Sequence, residues 1–320
     1  MFSASREHLA VLGAAVALAS LAAAGCNGAR AGSATPAPPA QAARTSAAFD
    51  GEKAFALLKR QCDFGPRPVG SQAHQRARDF LLEEMRRHAD RATTQDFAYR
   101  GMPLTNVIGL FNESAQRRVL LCAHWDTRPR ADQEIDPARQ KQPIPGANDG
   151  ASGVAVLLEL ARIFKERRPA VGVVIVLFDG EDYGDFQRDE GVFLGSRHFA
   201  RNCKEFRAEY GILLDMVGDR DLDIYREGYS DQYATSINRK VFAMARELGF
   251  GRHIIDEPRY TVQDDHIPLN TIARIPTIDL IDFNYGPWHT LDDTPDKCSP
   301  RSLQMVGSTI AEVVRREPAG

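Results

Sequence analysis

A chain of 320 residues, 43% hydrophobic and 26% charged, is long enough to bury one large core. Its 40 basic and 43 acidic residues leave a formal charge of −3. With no basic stripe to add to that balance, nucleic acid is excluded as the expected partner.

Residues 1–26 read as an export signal: Arg6 near the start, an apolar stretch from Leu9 to Ala24, then Gly25-Cys26. That stretch is short for a spanning helix, which needs roughly 20 apolar residues. Leu21-Ala22-Ala23-Ala24-Gly25-Cys26 resembles a bacterial lipobox, which would make Cys26 the acylated first residue of a lipoprotein, lipid-anchored and facing the periplasm or cell exterior. Ordinary cleavage at a small-residue site is the other reading. Residues 27–47 are Ala, Pro, Ser and Gly with almost no large apolar side chain, so they read as a flexible linker. The remaining residues, 48–320, read as a single α/β domain. Its cysteines, Cys62, Cys122, Cys203 and Cys298, form no CxxC or Cys/His zinc spacing. They leave disulfide pairing open, with Cys122 read as a buried free thiol.

Apolar residues recur at helical spacing from Phe49 to Cys62 and from Ala73 to His88, around a Pro- and Gly-containing turn, FGPRPVGS. Short strands follow at Ala92–Tyr99, Thr105–Phe111 and Arg117–His124. A polar excursion, Thr127–Pro145, has a length usual for functional or mobile loops. Asp149 then sits among Gly146, Gly150 and Gly153 ahead of the helical run VAVLLELARIFKE. Taken alone, Asp149 reads as a helix N-cap.

Val171–Asp182, VGVVIVLFDGED, organises the chain. A β-branched apolar run without alternation suits a strand covered on both faces, and Asp-Gly marks where it leaves the sheet. Glu181 and Asp182 therefore fall at a strand's carboxyl end, where ligands bind in open α/β sheets. Paired carboxylates there carry a desolvation cost that a metal cation would offset. Further on come a helix at GSRHFARNC, a buried strand at Tyr210–Met216 with Asp215 at its end, and an edge pairing at Leu222–Tyr225. A helix at Ser236–Leu248 and a strand at Thr277–Ile281 follow. The loop FNYGPWHTLDD leads into a closing helix, Ser299–Arg315, with Pro300 at its first position. Strands first adjacent and then alternating with helices predict a mixed sheet, antiparallel at one edge and parallel at the centre.

His124, Glu181, Asp182, Asp215 and His289 all fall at or just beyond predicted strand ends, and Asp149 opens a helix. Mixed imidazole and carboxylate donors suit zinc, with an open position in a catalytic site. Among the other histidines, His74, His88 and His198 read as solvated on polar helix faces, and His253 has no motif around it. His266 reads as a supporting rather than ligating residue, and Asp126 as orienting His124. Asp292 and Asp293 read as turn formers.

HWD, GANDGASG, FDGED, LLDMVGD, QDDHIP and WHTLDD, in that order, resemble the co-catalytic zinc aminopeptidase family, whose fold also houses the glutaminyl cyclases. The resemblance runs from about Phe64 to the last helix and implies an α/β/α sandwich with a mixed, centrally parallel sheet. For a two-zinc aminopeptidase it implies His124 and Asp215 on one metal, Asp182 and His289 on the other, and Asp149 bridging. For a cyclase it implies one zinc on Asp149, Asp182 and His289. Glu181 would be the general acid/base in both, so the metal set does not decide.

Two stretches tip the reading to a bacterial glutaminyl cyclase acting on peptide N-termini that carry Gln. Gln263-Asp264 is similar to a cyclase segment whose aspartate orients catalytic groups, with Asp215 as its catalytic companion. Trp288 is similar to the cyclase pocket tryptophan, an aromatic wall for an uncharged side chain. The aromatic that animal cyclases carry after the Glu-carboxylate pair is replaced here by Gln187, so Tyr183 or Phe186 would serve instead. A binding module on an inactive scaffold is the non-enzymatic alternative.

Overall fold

Residues 48–319 are described by the computed structural model of the protein, and they fall within one compact unit. The leader with Cys26, and the linker, lie outside the described residues. Among the described residues, no helix is long and apolar enough to cross a membrane.

The chain opens with helices α1 (Gly51–Cys62) and α2 (Gln72–His88). Asp50 caps the first, accepting from the backbone N–H groups of Glu52 and Lys53, and Ser71 caps the second. A six-stranded sheet follows in the order β1-β2-β4-β3-β5-β8. β1 (Arg91–Tyr99) and β2 (Met102–Phe111) form an antiparallel edge, and β2 runs antiparallel to β4 (Gly172–Phe178). From there β4, β3 (Arg118–His124), β5 (Tyr210–Asp215) and β8 (Thr277–Ile281) are parallel to their neighbours. The sheet is therefore mixed and centrally parallel.

Period-two geometry divides the central strands between two cores. Val119, Leu121 and Ala123 of β3, with Val173, Ile175 and Leu177 of β4, join one apolar layer with α1, α2, α3 (Ala151–Glu166) and the closing helix Pro300–Arg315. Leu120, Cys122, Val174, Val176 and Phe178 face the other way, onto Phe199 of α4 (Leu194–Asn202) and Leu269. Burial on both faces explains the continuous apolar runs. The described cysteines are free, and Cys122 is buried.

Several local expectations are corrected. Leu222–Tyr225 does not join the main sheet: β6 (Ile224–Arg226) pairs in parallel with β7 (Ile254–Pro258) in a separate two-stranded sheet. α5 (Gly228–Glu247) is kinked at Ala234 (φ −141°, ψ 38°), so the helix expected from Ser236 is present and is preceded by a short segment that the Glu227 carboxylate caps through the N–H groups of Tyr229 and Ser230. His74 is buried rather than solvated; its Nε2 lies 2.7 Å from Asp179 Oδ1 and its ring stacks on Trp125. His198 is half-buried and stacked on Phe97, and His88 is half-buried.

The parallel centre brings the ends of β3, β4 and β5 to one rim, with His124 in register with Phe178. α3 starts against this rim, so tightly that a Cβ on Gly153 would sit 2.1 Å from the Leu214 carbonyl oxygen and 3.0 Å from Ala123 Cβ. Gly153→Ala is expected to cost about 1–3 kcal/mol as an overpacked core contact, read as a lower urea midpoint at unchanged slope. Gly251→Ala, whose Cβ would meet nothing closer than 3.5 Å, should stay within about 0.5 kcal/mol.

Candidate metal centre and active site

The GANDGASG turn aims Asp149 at the rim. Gly146 and Gly150 adopt φ of +67° and +98°, a region that side-chain-bearing residues rarely enter. At Gly150 a Cβ would also meet the Asp126 carbonyl oxygen at 2.6 Å. Gly150, not Asp149, is the N-cap of α3, and no side chain caps it. The Asp149 carboxylate is thus free for the site. Its backbone is held from behind: Asp293 accepts from the N–H groups of Asn148 (2.8 Å) and Asp149 (3.1 Å) and from the Tyr285 hydroxyl (2.8 Å). The buried Arg67 guanidinium donates to the carbonyls of Trp125, Pro145 and Gly146. Asp293 is therefore a buried scaffold residue, not the turn former expected; Asp292 is exposed, with its carbonyl accepting from the Thr294 hydroxyl.

Around Asp149 two sets of donors converge. On one side His124 Nε2 lies 3.2 Å from both Asp149 Oδ1 and Asp215 Oδ1. On the other, His289 Nε2 lies 3.5 Å from Asp149 Oδ2 and 3.6 Å from Asp182 Oδ1. In each trio the ligand atoms lie within 4.8 Å of one another. Donors about 2.1 Å from a tetrahedral zinc are about 3.4 Å apart, so both sets have the spacing of a first coordination sphere. An orphaned atom agrees: Asp182 Oδ2 is buried with no hydrogen-bond partner. Imidazole with carboxylate is also a donor set suited to zinc. The residues therefore fit a divalent ion at either position, with Asp149 shared.

The electrostatics express the same need. Burial, together with nearby Asp149, pushes the Asp182 carboxyl up to about 7 against the opposing pull of His289 and Arg128. Burial and then Asp182 raise Glu181 well above the ordinary glutamate range. His124 goes the other way for a buried imidazole: burial disfavours its charge, but Asp126, Asp149 and Asp215 outweigh that and raise it. Asp126 does more than face His124 at 3.6 Å; its carboxylate accepts from the N–H groups of Glu181 (3.0 Å) and Asp182 (3.3 Å), fixing the loop after β4.

A cavity of about 530 Å³ opens over these groups. Glu181, Asp149, Asp215 and His289 line its floor, with Asp264 beside them. Trp288 lines its wall and stacks on His289 at 3.9 Å between ring centroids; Phe283 and Phe186 continue the wall, and Gln263 lies exposed at the rim. Gln187 also lines the cavity, whereas Tyr183 packs edge-on against Tyr99. His289 and Met216, which follows Asp215, sit at φ of +55° and +46°, strain of the kind that gathers at functional sites.

The model of peptidase family M28 matches residues 106–314. The chain belongs to peptidase family M28. The glutaminyl cyclase of Bacteroides thetaiotaomicron, solved with N-acetylhistamine bound, is 39% identical with a TM-score of 0.81, covering 84% of this chain and 99% of that one. A leucine aminopeptidase precursor from Bacteroides thetaiotaomicron VPI-5482 is equally similar, 39% identical at a TM-score of 0.81 over 84% of this chain and 98% of its own. The glutaminyl-peptide cyclotransferase of Drosophila melanogaster is 25% identical over 260 residues, 71% of this chain and 70% of its own length. The chain spans 42% of the length of another relative, the Escherichia coli protein YfbL.

Within this M28 site, sequence reasoning missed the groups that hold the donors. Arg128 is buried; its Nη1 donates to Asp182 Oδ1 (2.6 Å), and its Nε and Nη2 donate to Asp132 Oδ2 at 2.9 and 2.5 Å. Asp132 Oδ1 faces His289 Nδ1 at 3.1 Å, so one Arg–Asp pair orients two donors of the same set. Both lie in the 127–145 excursion, and only the position of Arg128 close behind HWD hinted at a role. Asp132→Asn is expected to weaken zinc affinity about 10- to 100-fold with circular dichroism unchanged, measured by competition with a chromogenic chelator.

Proposed function

We propose that this M28 protein is a zinc-dependent glutaminyl-peptide cyclotransferase, converting N-terminal glutaminyl residues to pyroglutamate with release of ammonia. The observation that carries this reading is the make-up of the cavity: charged groups, Glu181 and His289 among them, beside an aromatic wall of Trp288, Phe283 and Phe186. An aromatic wall next to convergent polar groups suits an uncharged glutamine side chain. The similarity to cyclases over nearly their whole length adds support.

In this reading Asp149, Asp182 and His289 would hold one zinc ion. When bound, zinc supplies Lewis-acid polarisation of the substrate's γ-carbonyl. The α-amine of the same residue is the nucleophile, so proximity is built into the substrate. Glu181 accepts the amine proton as the new carbon–nitrogen bond closes the five-membered ring, then delivers it to the amide nitrogen as the old bond breaks and ammonia leaves. Burial and Asp182 raise the affinity of Glu181 for a proton above that of an ordinary glutamate, the direction that a residue taking up a proton from an amine needs. Asp215 and Asp264 hydrogen-bond around the tetrahedral carbon, and Gln263 and Trp288 bind the substrate.

A two-zinc aminopeptidase is the second reading, favoured by the completeness of the His124, Asp149, Asp215 set and by the aminopeptidase relative. Incubation with Gln-peptides separates the two. Ammonia without free amino acid is expected, and release of N-terminal residues from several peptides would establish the peptidase. One tightly held zinc per chain fits the cyclase and two the peptidase. Glu181→Gln should lower kcat by about 10²- to 10⁴-fold while zinc is retained, whereas Asp182→Ala should lose both zinc and turnover. Full activity in Glu181→Gln would remove the proton shuttle.

A further inference from the structure

Behind Asp264, on the side away from the cavity, runs a file of buried polar groups. Asp264 Oδ1 accepts from the Asp265 N–H at 2.5 Å, while its Oδ2 has no hydrogen-bond donor. Asp279, in the middle of β8 and fully buried, brings a carboxylate oxygen within 4.8 Å of one on Asp264, and burial together with the facing Asp264 holds its carboxyl well above the ordinary range. His266 comes next: its Nδ1 lies 3.8 Å from Asp279 Oδ2, and its Nε2 lies 3.3 Å from Glu227 Oε2. Asp264, His266 and Asp279 together bring ligating atoms within 4.8 Å. Groups facing His266 come from every element around it: Glu227 ahead of α5, Tyr229 in its first turn, Asp279 on β8, and Asp264 and Asp265 in its own loop. Asp265 is itself turned away, onto the Ser196 hydroxyl.

Glu227 is the anchor of this file. It accepts from the N–H groups of Tyr229 (2.8 Å), Ser230 (2.6 Å) and Val262 (3.0 Å) and from the Ser230 hydroxyl (2.8 Å). Ser230 Oγ in turn accepts from the Asp279 N–H (2.9 Å). One carboxylate thus fixes the start of α5, the backbone just before Gln263 and Asp264, and both the backbone and the side-chain neighbours of Asp279. A packed apolar group would fill this space at no desolvation cost. A polar file that leads from the cavity into the core is explained by what stands at its open end.

We propose that Glu227 and His266 are a buried positioning dyad that, through Asp279, holds the Asp264 carboxyl in the orientation the reaction uses. Neither residue lines the cavity, so both act through Asp264; the inference rests on the catalytic role given to Asp264 in the cyclase reading. In the full chain, His266→Gln should lower kcat on a Gln-peptide about 10- to 100-fold, with KM within about twofold, a shifted pH profile of kcat, and zinc content and melting temperature retained; Glu227→Gln should lower kcat likewise, with zinc retained but a lower melting temperature from the lost α5 cap. His266→Gln should add little in an Asp279→Asn background, since the two act as one unit. A turnover-independent readout accompanies these. A proton retained on the crowded Asp264–Asp279 pair is expected to give a carboxylic-acid carbonyl band in the infrared that Asp279→Asn removes and His266→Gln shifts. An unshifted band, an unchanged pH profile, or additive losses in the double variant overturn the dyad. Zinc lost on His266→Gln also overturns it, because the trio would then grip an ion. A wild-type chain that releases no ammonia overturns the proposed function alone, and the infrared band still decides the dyad.

Discussion

Crowding of carboxylates is the constraint from which the rest follows. Asp126, Asp149, Glu181 and Asp182 are buried together at the carboxyl edge of the sheet, with Asp215 and the buried Asp264 beside them. Like charges repel strongly where little water screens them, and the protein's own cations answer only part of that charge. Arg67, although fully buried, directs its guanidinium to carbonyl oxygens. Arg128 donates to the carboxylates of Asp182 and Asp132, and His124 and His289 stand between carboxylates as metal donors would. A divalent ion held by these donors would supply further positive charge at the centre.

The parallel sheet is the device that permits this crowding. Each strand from β4 across to β8 runs the same way as its neighbour, so the chain leaves β3, β4 and β5 at one rim and delivers His124, the Glu181–Asp182 pair and Asp215 there. Both faces of β3 and β4 are packed in apolar layers up to those ends. His289 arrives differently, on a loop beyond β8 in left-handed backbone, and is fixed by side-chain and ring contacts instead of by a strand.

This division explains what could be read from the sequence. Apolar runs that stop abruptly at His124, Asp182 and Asp215 announce strand ends whatever the tertiary details, so the sheet and the gathering of those residues at its rim were legible. Supporting residues were not, because their meaning depends on what the fold lays against them. His74 lies on the polar face of α2 by spacing, yet Trp125 and Asp179 cover that face. Asp293 follows Asp292 in a turn-like TLDD, yet one is exposed and the other is buried against the backbone of Asn148 and Asp149. β7 escaped notice because IIDEP is short and largely exposed, so it lacks an apolar pattern.

The excursion at 127–145 shows why such a loop belongs to the site and is not a cover laid over it. Arg128 and Asp132 grip Asp182 and His289 by their side chains, the Gln133 N–H donates to the His289 carbonyl (3.2 Å), and Glu134 accepts from the Leu291 N–H (2.9 Å). The same His289 carries Trp288 stacked on its ring. The segment that orients a metal donor therefore also sets the wall against which a substrate side chain would rest. A displacement of this loop cannot loosen one without the other, and metal retention and substrate affinity are expected to be linked through the His289 backbone, as two ligands of one rigid element are.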